Sequence, residues 1–110
     1  SYSYRTYVDY TINYIEHNYS KNIKITDIAD YIGINRSYLT SCFKKSMNIS
    51  PQRFLLEYRM KKAENLLLST TKSINEISFE VGYEDSLAFS KVFKSYSGLS
   101  PKSYRANSGQ

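Results

Sequence analysis

The side chains with usable chemistry in this chain are polar residues on helical faces, not a nucleophile with its base. Cys42 is the only cysteine and His17 the only histidine, far from each other in sequence. Cys42 falls on the apolar side of a helical pattern beside Phe43, a packing position. His17 stands where a helix ends, so its imidazole is a surface group near helix carbonyls. The carboxylates are scattered without metal-ligand spacing. Neither a phosphate-cradling glycine loop nor a nucleophile elbow occurs. No catalytic residue, cofactor or metal is therefore expected.

What remains is recognition chemistry, and it comes in two sets. The first is Arg36, Ser37, Thr40, Ser41 and Lys44, with Lys45 beside it. The second is Ser86, Leu87, Ser90, Lys91 and Lys94, each 50 residues beyond its counterpart. Short hydroxyls, an apolar tip and an arginine suit the edges of base pairs in a major groove, whereas lysines suit phosphates. Arg36 can serve either purpose. The alternative for each position is an ordinary solvated helix face. The composition is compatible with a polyanion partner: 110 residues carry a net charge of +5, spread over mixed surfaces without a basic tail. Hydrophobic residues at 41% exclude a disordered chain, and no apolar run reaches the ~20 residues that span a bilayer. Absence of a membrane partner, a lone cysteine and the lack of a signal-peptide pattern lead us to expect a cytoplasmic, nucleoid-associated protein. A helical pattern starts almost at Ser1, so the sequence reads as a fragment of a longer protein.

The elements that must hold these two sets are all helical. Val8, Ile12, Ile15 and Tyr19 form one apolar stripe, which predicts a helix from about Tyr4 to Asn18. Tyr2, Tyr4 and Tyr7 read as core or interface filler. A second helix is expected after Thr26 as N-cap, with Ile28, Ala29 and Ile32 inward and Gly33 at a left-handed stop. Asn35 caps a third, Arg36 to about Met47, burying Leu39, Cys42, Phe43 and Met47. Ser50-Pro51 opens a long fourth helix to Ser69, with Leu56, Met60, Ala63 and Leu67 on one side. Ser73-Ile74-Asn75-Glu76 is a capping box for a fifth, whose Ile77 and Val81 face inward before Gly82. Asp85 caps a sixth, burying Phe89, Val92, Phe93 and Tyr96. Ser100-Pro101 begins a last short turn through Tyr104 and Arg105.

The chain repeats itself. Phe43, Ser50-Pro51 and Phe54 return as Phe93, Ser100-Pro101 and Tyr104, at a separation of 50. Ile28 and Gly33 return as Ile77 and Gly82 at 49, so the second turn is one residue longer. Asn35 and Asp85 restore the separation of 50. Each copy is a short helix, a glycine turn and a second helix with a polar outer face, the helix-turn-helix plan.

These residues resemble the AraC/XylS family of bacterial transcription regulators. The matching segments are Ile25 to Leu68 and Ile74 to Arg105, most specifically Gly82-Tyr83-Glu84-Asp85, Phe89 to Lys94, Gly98-Leu99-Ser100-Pro101 and Tyr104-Arg105. Ile28-Ala29, Ser37-Tyr38-Leu39, Phe43-Lys44-Lys45 and Arg59 match in the first copy. The resemblance implies an all-α, seven-helix domain of two helix-turn-helix subdomains, homeodomain-like three-helix units, joined by a long linker helix. Subdomain 1 is expected at about 4–49, the linker at about 51–69 and subdomain 2 at about 73–106, within a single domain over 1–110. The implied partner is double-stranded DNA, with an N-terminal effector-sensing domain missing and RNA polymerase a further candidate. Base contacts are assigned to Arg36, Ser37, Thr40, Ser41, Ser86, Leu87, Ser90 and Lys91. Phosphate contacts are assigned to Lys44, Lys45, Ser73, Lys94, Lys102 and Arg105. Four positions depart from the family pattern: Asn48 replaces a common glycine, Leu87-Ala88 replace Ser and Tyr, and Lys91 replaces arginine, which loses the bidentate fork.

The linker would be ~28 Å long at about 1.5 Å per residue, against about 34 Å between successive major grooves on one face of DNA. Some DNA bending would let both copies engage. A helical protein-docking module is the competing reading, and an enzyme has no support. Salt separates the first two, because phosphate contacts lose affinity steeply with salt and an apolar interface does not.

Overall fold

Residues 3–108 are described by the structure, a computed structural model; Tyr2 lies outside them. Among the described residues there are seven α-helices and no strand: α1 (Tyr4–Asn18), α2 (Ile25–Ile32), α3 (Arg36–Met47), α4 (Pro51–Ser69), α5 (Ile74–Glu80), α6 (Ser86–Ser97) and α7 (Pro101–Ser108). The all-α expectation and the seven-helix order hold. Two compact units divide the chain. The first takes in α1, α2, α3 and the start of α4 through Leu56; the second takes in Ser20–Asn22, α4 from Glu57, α5, α6 and α7.

In the first unit the apolar stripes meet as their spacing dictates. Val8, Cys42 and Phe43 are buried together, with Tyr4, Tyr7, Ile12, Met47, Ile49 and Phe54 packed around them. Ile15, Ile28 and Leu39 are also fully buried. Thr11 joins this interior because its hydroxyl donates to the Tyr7 carbonyl at 2.8 Å, which satisfies it locally. In the second unit Met60, Ala63, Leu67, Ile77, Val81, Phe89 and Phe93 are buried. Ser78 is buried there as well, and its hydroxyl has no hydrogen-bond partner.

The internal repeat is realised as geometry. Phe43 meets Phe54 edge-on, centroids 5.5 Å apart and planes at 69°. Phe93 meets Tyr104 in the same way at 5.3 Å and 84°. Each pair ties a recognition-type helix to the helix that follows its Ser-Pro start, an arrangement the ring quadrupoles favour. The starts match too: the Ser50 hydroxyl accepts from Arg53 N–H at 3.0 Å and the Ser100 hydroxyl from Ser103 N–H at 3.1 Å. α2 ends on Gly33 at φ 86°, with the Ile34 N–H bonded to the Ala29 carbonyl at 3.0 Å. Gly82 takes φ 99°, and Tyr83 N–H reaches back to the Ser78 carbonyl at 2.9 Å. α3 and α6 end on Asn48 (φ 63°) and Gly98 (φ 86°), so asparagine occupies a left-handed position that glycine holds in the other copy.

Two sequence expectations are corrected. Thr26 does not cap α2; it is an exposed residue inside the helix, and the N-cap is Lys24, which offers no side-chain hydrogen bond. Starting the helix at Ile25 buries that side chain to 5% exposure. Burial of an isoleucine is worth about 2 kcal/mol, more than the about 1 kcal/mol of a threonine cap. The final element is a helix running to Ser108, longer than the turn expected through Arg105.

Candidate nucleic-acid interface

In the first unit α3 is fixed at its start by Asn35, whose side-chain oxygen accepts from Tyr38 N–H at 2.8 Å. With Leu39, Cys42 and Phe43 turned inward, the opposite face projects outward: Arg36, Ser37, Ser41, Lys44 and Lys45 are exposed and Thr40 is half-buried. Arg36, Ser37, Thr40 and Lys44 line one cleft of about 410 Å³ together with Ser50 and Gln52. Arg36 also lines a second cleft, of about 370 Å³, with Ile23, Lys24, Ile25, Thr26, Gln52 and Leu55. Lys45 is not gathered there; its ammonium lies 4.7 Å from the centre of the Tyr4 ring.

The second unit builds the corresponding face on α6. Asp85 caps it by accepting from Leu87 N–H at 2.9 Å. Phe89 and Phe93 turn inward, and the outer face carries Leu87, Lys91 and Lys94, all exposed, with Ser86 and Ser90 half-buried. Leu87 is 72% exposed. Lys102 is exposed in the first turn of α7.

Two of the expected phosphate ligands have structural duties. Arg105 turns back onto the end of α4. Its Nε donates to the Leu67 carbonyl at 3.0 Å and its Nη2 to the Thr70 carbonyl at 3.2 Å. These are carbonyls of a helix terminus, which lack intrahelical donors, so Arg105 clamps the end of α4. The Ser73 hydroxyl accepts from Glu76 N–H at 3.0 Å, and the Glu76 carboxylate accepts from Ser73 N–H at 3.0 Å, completing the capping box. The Ser73 backbone N–H and hydroxyl hold the Glu76 carboxyl below the usual carboxylate range.

Arg59, one of the residues that carried the resemblance, is likewise structural. Its Nη2 donates to the Lys21 carbonyl at 2.9 Å and its guanidinium carbon lies 5.5 Å from the Tyr83 ring centre. Burial lowers the Arg59 pKa and raises that of Tyr83, and each group partly offsets the other's shift.

Gln52 and Ser50 escaped the sequence assignment although both line the Arg36 cleft. Charge and helical periodicity within α3 point to neither of them. The signal that finds Gln52 is the repeat, which pairs it with Lys102.

Comparison with known proteins gives a consistent picture. A family model described as a helix-turn-helix domain matches residues 28–107. The chain is 43% identical over 103 residues to the Msm operon regulatory protein of Streptococcus mutans, covering 94% of this chain and 37% of that protein. It is 42% identical over 98 residues to the raffinose operon transcriptional regulatory protein RafR of Pediococcus pentosaceus, covering 89% of this chain and 35% of the relative. The chain thus spans little more than a third of these relatives' length. Among solved structures, the C-terminal domain of AraT, a response regulator from Geobacillus stearothermophilus, superposes with a TM-score of 0.90 at 34% identity, covering 92% of this chain and 84% of that one.

Proposed function

The chain belongs to the AraC-type helix-turn-helix family, and from that premise we propose that it binds double-stranded DNA sequence-specifically, α3 and α6 entering successive major grooves. It is a recognition module and not a catalyst, the DNA-binding part of an operon regulator acting on the nucleoid. Its relatives' greater length supports a further effector-sensing domain in the whole protein, and its output passes to RNA polymerase.

The observation that carries this reading is the cleft beside α3. Arg36, Ser37, Thr40 and Lys44 converge there from one helix face, and the cleft is lined by polar residue types throughout. Ser37, Thr40 and Ser41 are short enough for the helix to sit deep, and Arg36 serves guanine or phosphate. In α6 the exposed Leu87 offers contact to a thymine methyl, Lys91 reaches a base edge or the phosphate beside it, and Lys94 meets a phosphate. We read the departures at Leu87 and Lys91 as leaving sequence reading mainly to the first unit and affinity to the second.

Selection of bound duplexes from a random pool tests this. The expected result is a motif with two parts about one helical turn apart, the part opposite α3 better defined. If Arg36, Lys44, Lys91, Lys94 and Lys102 all reach phosphates, log affinity falls with log salt at a slope of about −4.5, or ~500-fold from ~50 to ~200 mM. Arg36→Ala and Thr40→Ala should weaken specific binding with melting temperature nearly unchanged. No enriched motif, or binding indifferent to salt, refutes the proposal.

A further inference from the structure

We propose that Gln52 is a DNA-contact residue of the first unit, donating its side-chain amide to a phosphate oxygen beside Arg36. This rests on the DNA-binding reading above and adds a residue that charge alone does not point to.

Gln52 is held outward by its neighbours. Pro51 is buried, and the Ser50 hydroxyl accepting from Arg53 N–H fixes the first turn of α4. The exposed Gln52 side chain then stands between two clefts, lining both, and Arg36 is the other residue common to them. A nucleic-acid strand that engages Arg36 from either cleft therefore passes Gln52. A glutamine amide offers two N–H donors and is among the side chains that bind phosphate oxygens without reading sequence.

The repeat supports the same station. Lys102 occupies the equivalent position after Ser100-Pro101, is exposed, and follows the same serine cap. One copy thus places an ammonium at this position and the other a neutral amide. A neutral donor adds affinity without displacing a counterion, so the two positions have different salt signatures.

The test uses the 110-residue chain and a duplex that it enriches from a random pool, titrated across salt. Gln52→Ala is expected to weaken binding ~5-fold at every salt concentration, the size of one neutral hydrogen bond, with the salt slope unchanged. Gln52→Lys should steepen the slope by about 1, and Lys102→Gln should flatten it by about 1. Undiminished affinity in Gln52→Ala, with the parent binding normally, overturns this assignment and leaves the DNA-binding reading standing. Relaxed selectivity at a single base pair in Gln52→Ala overturns it as well, by moving the amide to a base edge. If the unsubstituted chain retains no duplex, the DNA-binding reading falls and Gln52 with it.

Discussion

Replacing Arg105 by alanine separates two roles that its charge alone would confuse. In the structure the guanidinium bridges the Leu67 carbonyl at 3.0 Å and the Thr70 carbonyl at 3.2 Å. Hydrogen bonds to a charged group are worth about 1.5–3 kcal/mol each when well sheltered. Arg105 is only half-buried and the second contact is long. Discounted for water, the pair is worth about 2 kcal/mol, including the favourable placement of a cation at a helix carboxyl end. For a chain of this size that corresponds to a fall in melting temperature of about 8 °C. Arg105→Lys should lose most of it too, since a single ammonium cannot reproduce the planar two-point fork. The assay is thermal unfolding followed by far-ultraviolet circular dichroism, with DNA affinity measured well below the transition at two salt concentrations. The structural role requires a lower melting temperature and a nearly unchanged salt slope. An unchanged melting temperature with a slope flatter by about 1 would refute it and return Arg105 to the phosphate set.

Other perturbations probe the same frame. Phe93 is fully buried and contacts both Phe89 and Tyr104, so Phe93→Ala should cost about 3–5 kcal/mol in a denaturant melt, as should Phe43→Ala; near-neutral values would contradict their core placement. Gly33→Ala should cost about 1–2 kcal/mol. Gly33 sits at φ 86° and a built Cβ meets nothing within 4 Å, so that cost is backbone strain without a clash. The Glu76 carboxyl is held below its usual range in the folded state, so its stabilising contribution is present above the unfolded-state pKa and disappears as pH falls through the folded value. Glu76→Ala should therefore lower the melting temperature at neutral pH and narrow the gap to the parent on acidification; a gap that widens in acid would reverse the sign of this argument.

Helix positions and buried faces were legible because both follow from a period of 3.6 residues and a few capping types. Val8 and Ile15, Leu39 and Phe43, and Met60, Ala63 and Leu67 are where their spacing puts them. Asn35, Ser73 and Asp85 cap as read. Thr26 misled because a local cap signal is weaker than the tertiary burial of Ile25 one position earlier. Thr11 and Ser78 were invisible as interior residues, since nothing in a polar side chain announces burial; the first is satisfied by its own helix and the second is not satisfied at all. At the surface, the outer faces of α3 and α6 could be assigned by subtraction from the buried stripe. Arg105 could not, because its carbonyl partners lie far away in sequence, at the end of α4. A cation that clamps a helix end and one that meets a phosphate look identical in a sequence.

The two copies agree where packing dictates and differ where a partner would touch. Phe43 and Phe93, Pro51 and Pro101, and the aromatic rings at 54 and 104 hold equivalent positions and equivalent geometry. A close-packed interior admits few volumes and ring orientations, so duplication of the frame leaves these sites little freedom. The outward positions have no such restraint. Arg36 answers to Ser86 in the repeat, Ser37 to Leu87, Ser41 to Lys91 and Gln52 to Lys102, while Lys44 and Lys94 keep a cation and Thr40 and Ser90 keep a short hydroxyl. For a module that docks DNA, this asymmetry has a direct consequence. Two identical faces on one chain would ask for a repeated half-site, whereas two chemically different faces on one frame let a single chain distinguish the two ends of its site and so bind in one orientation.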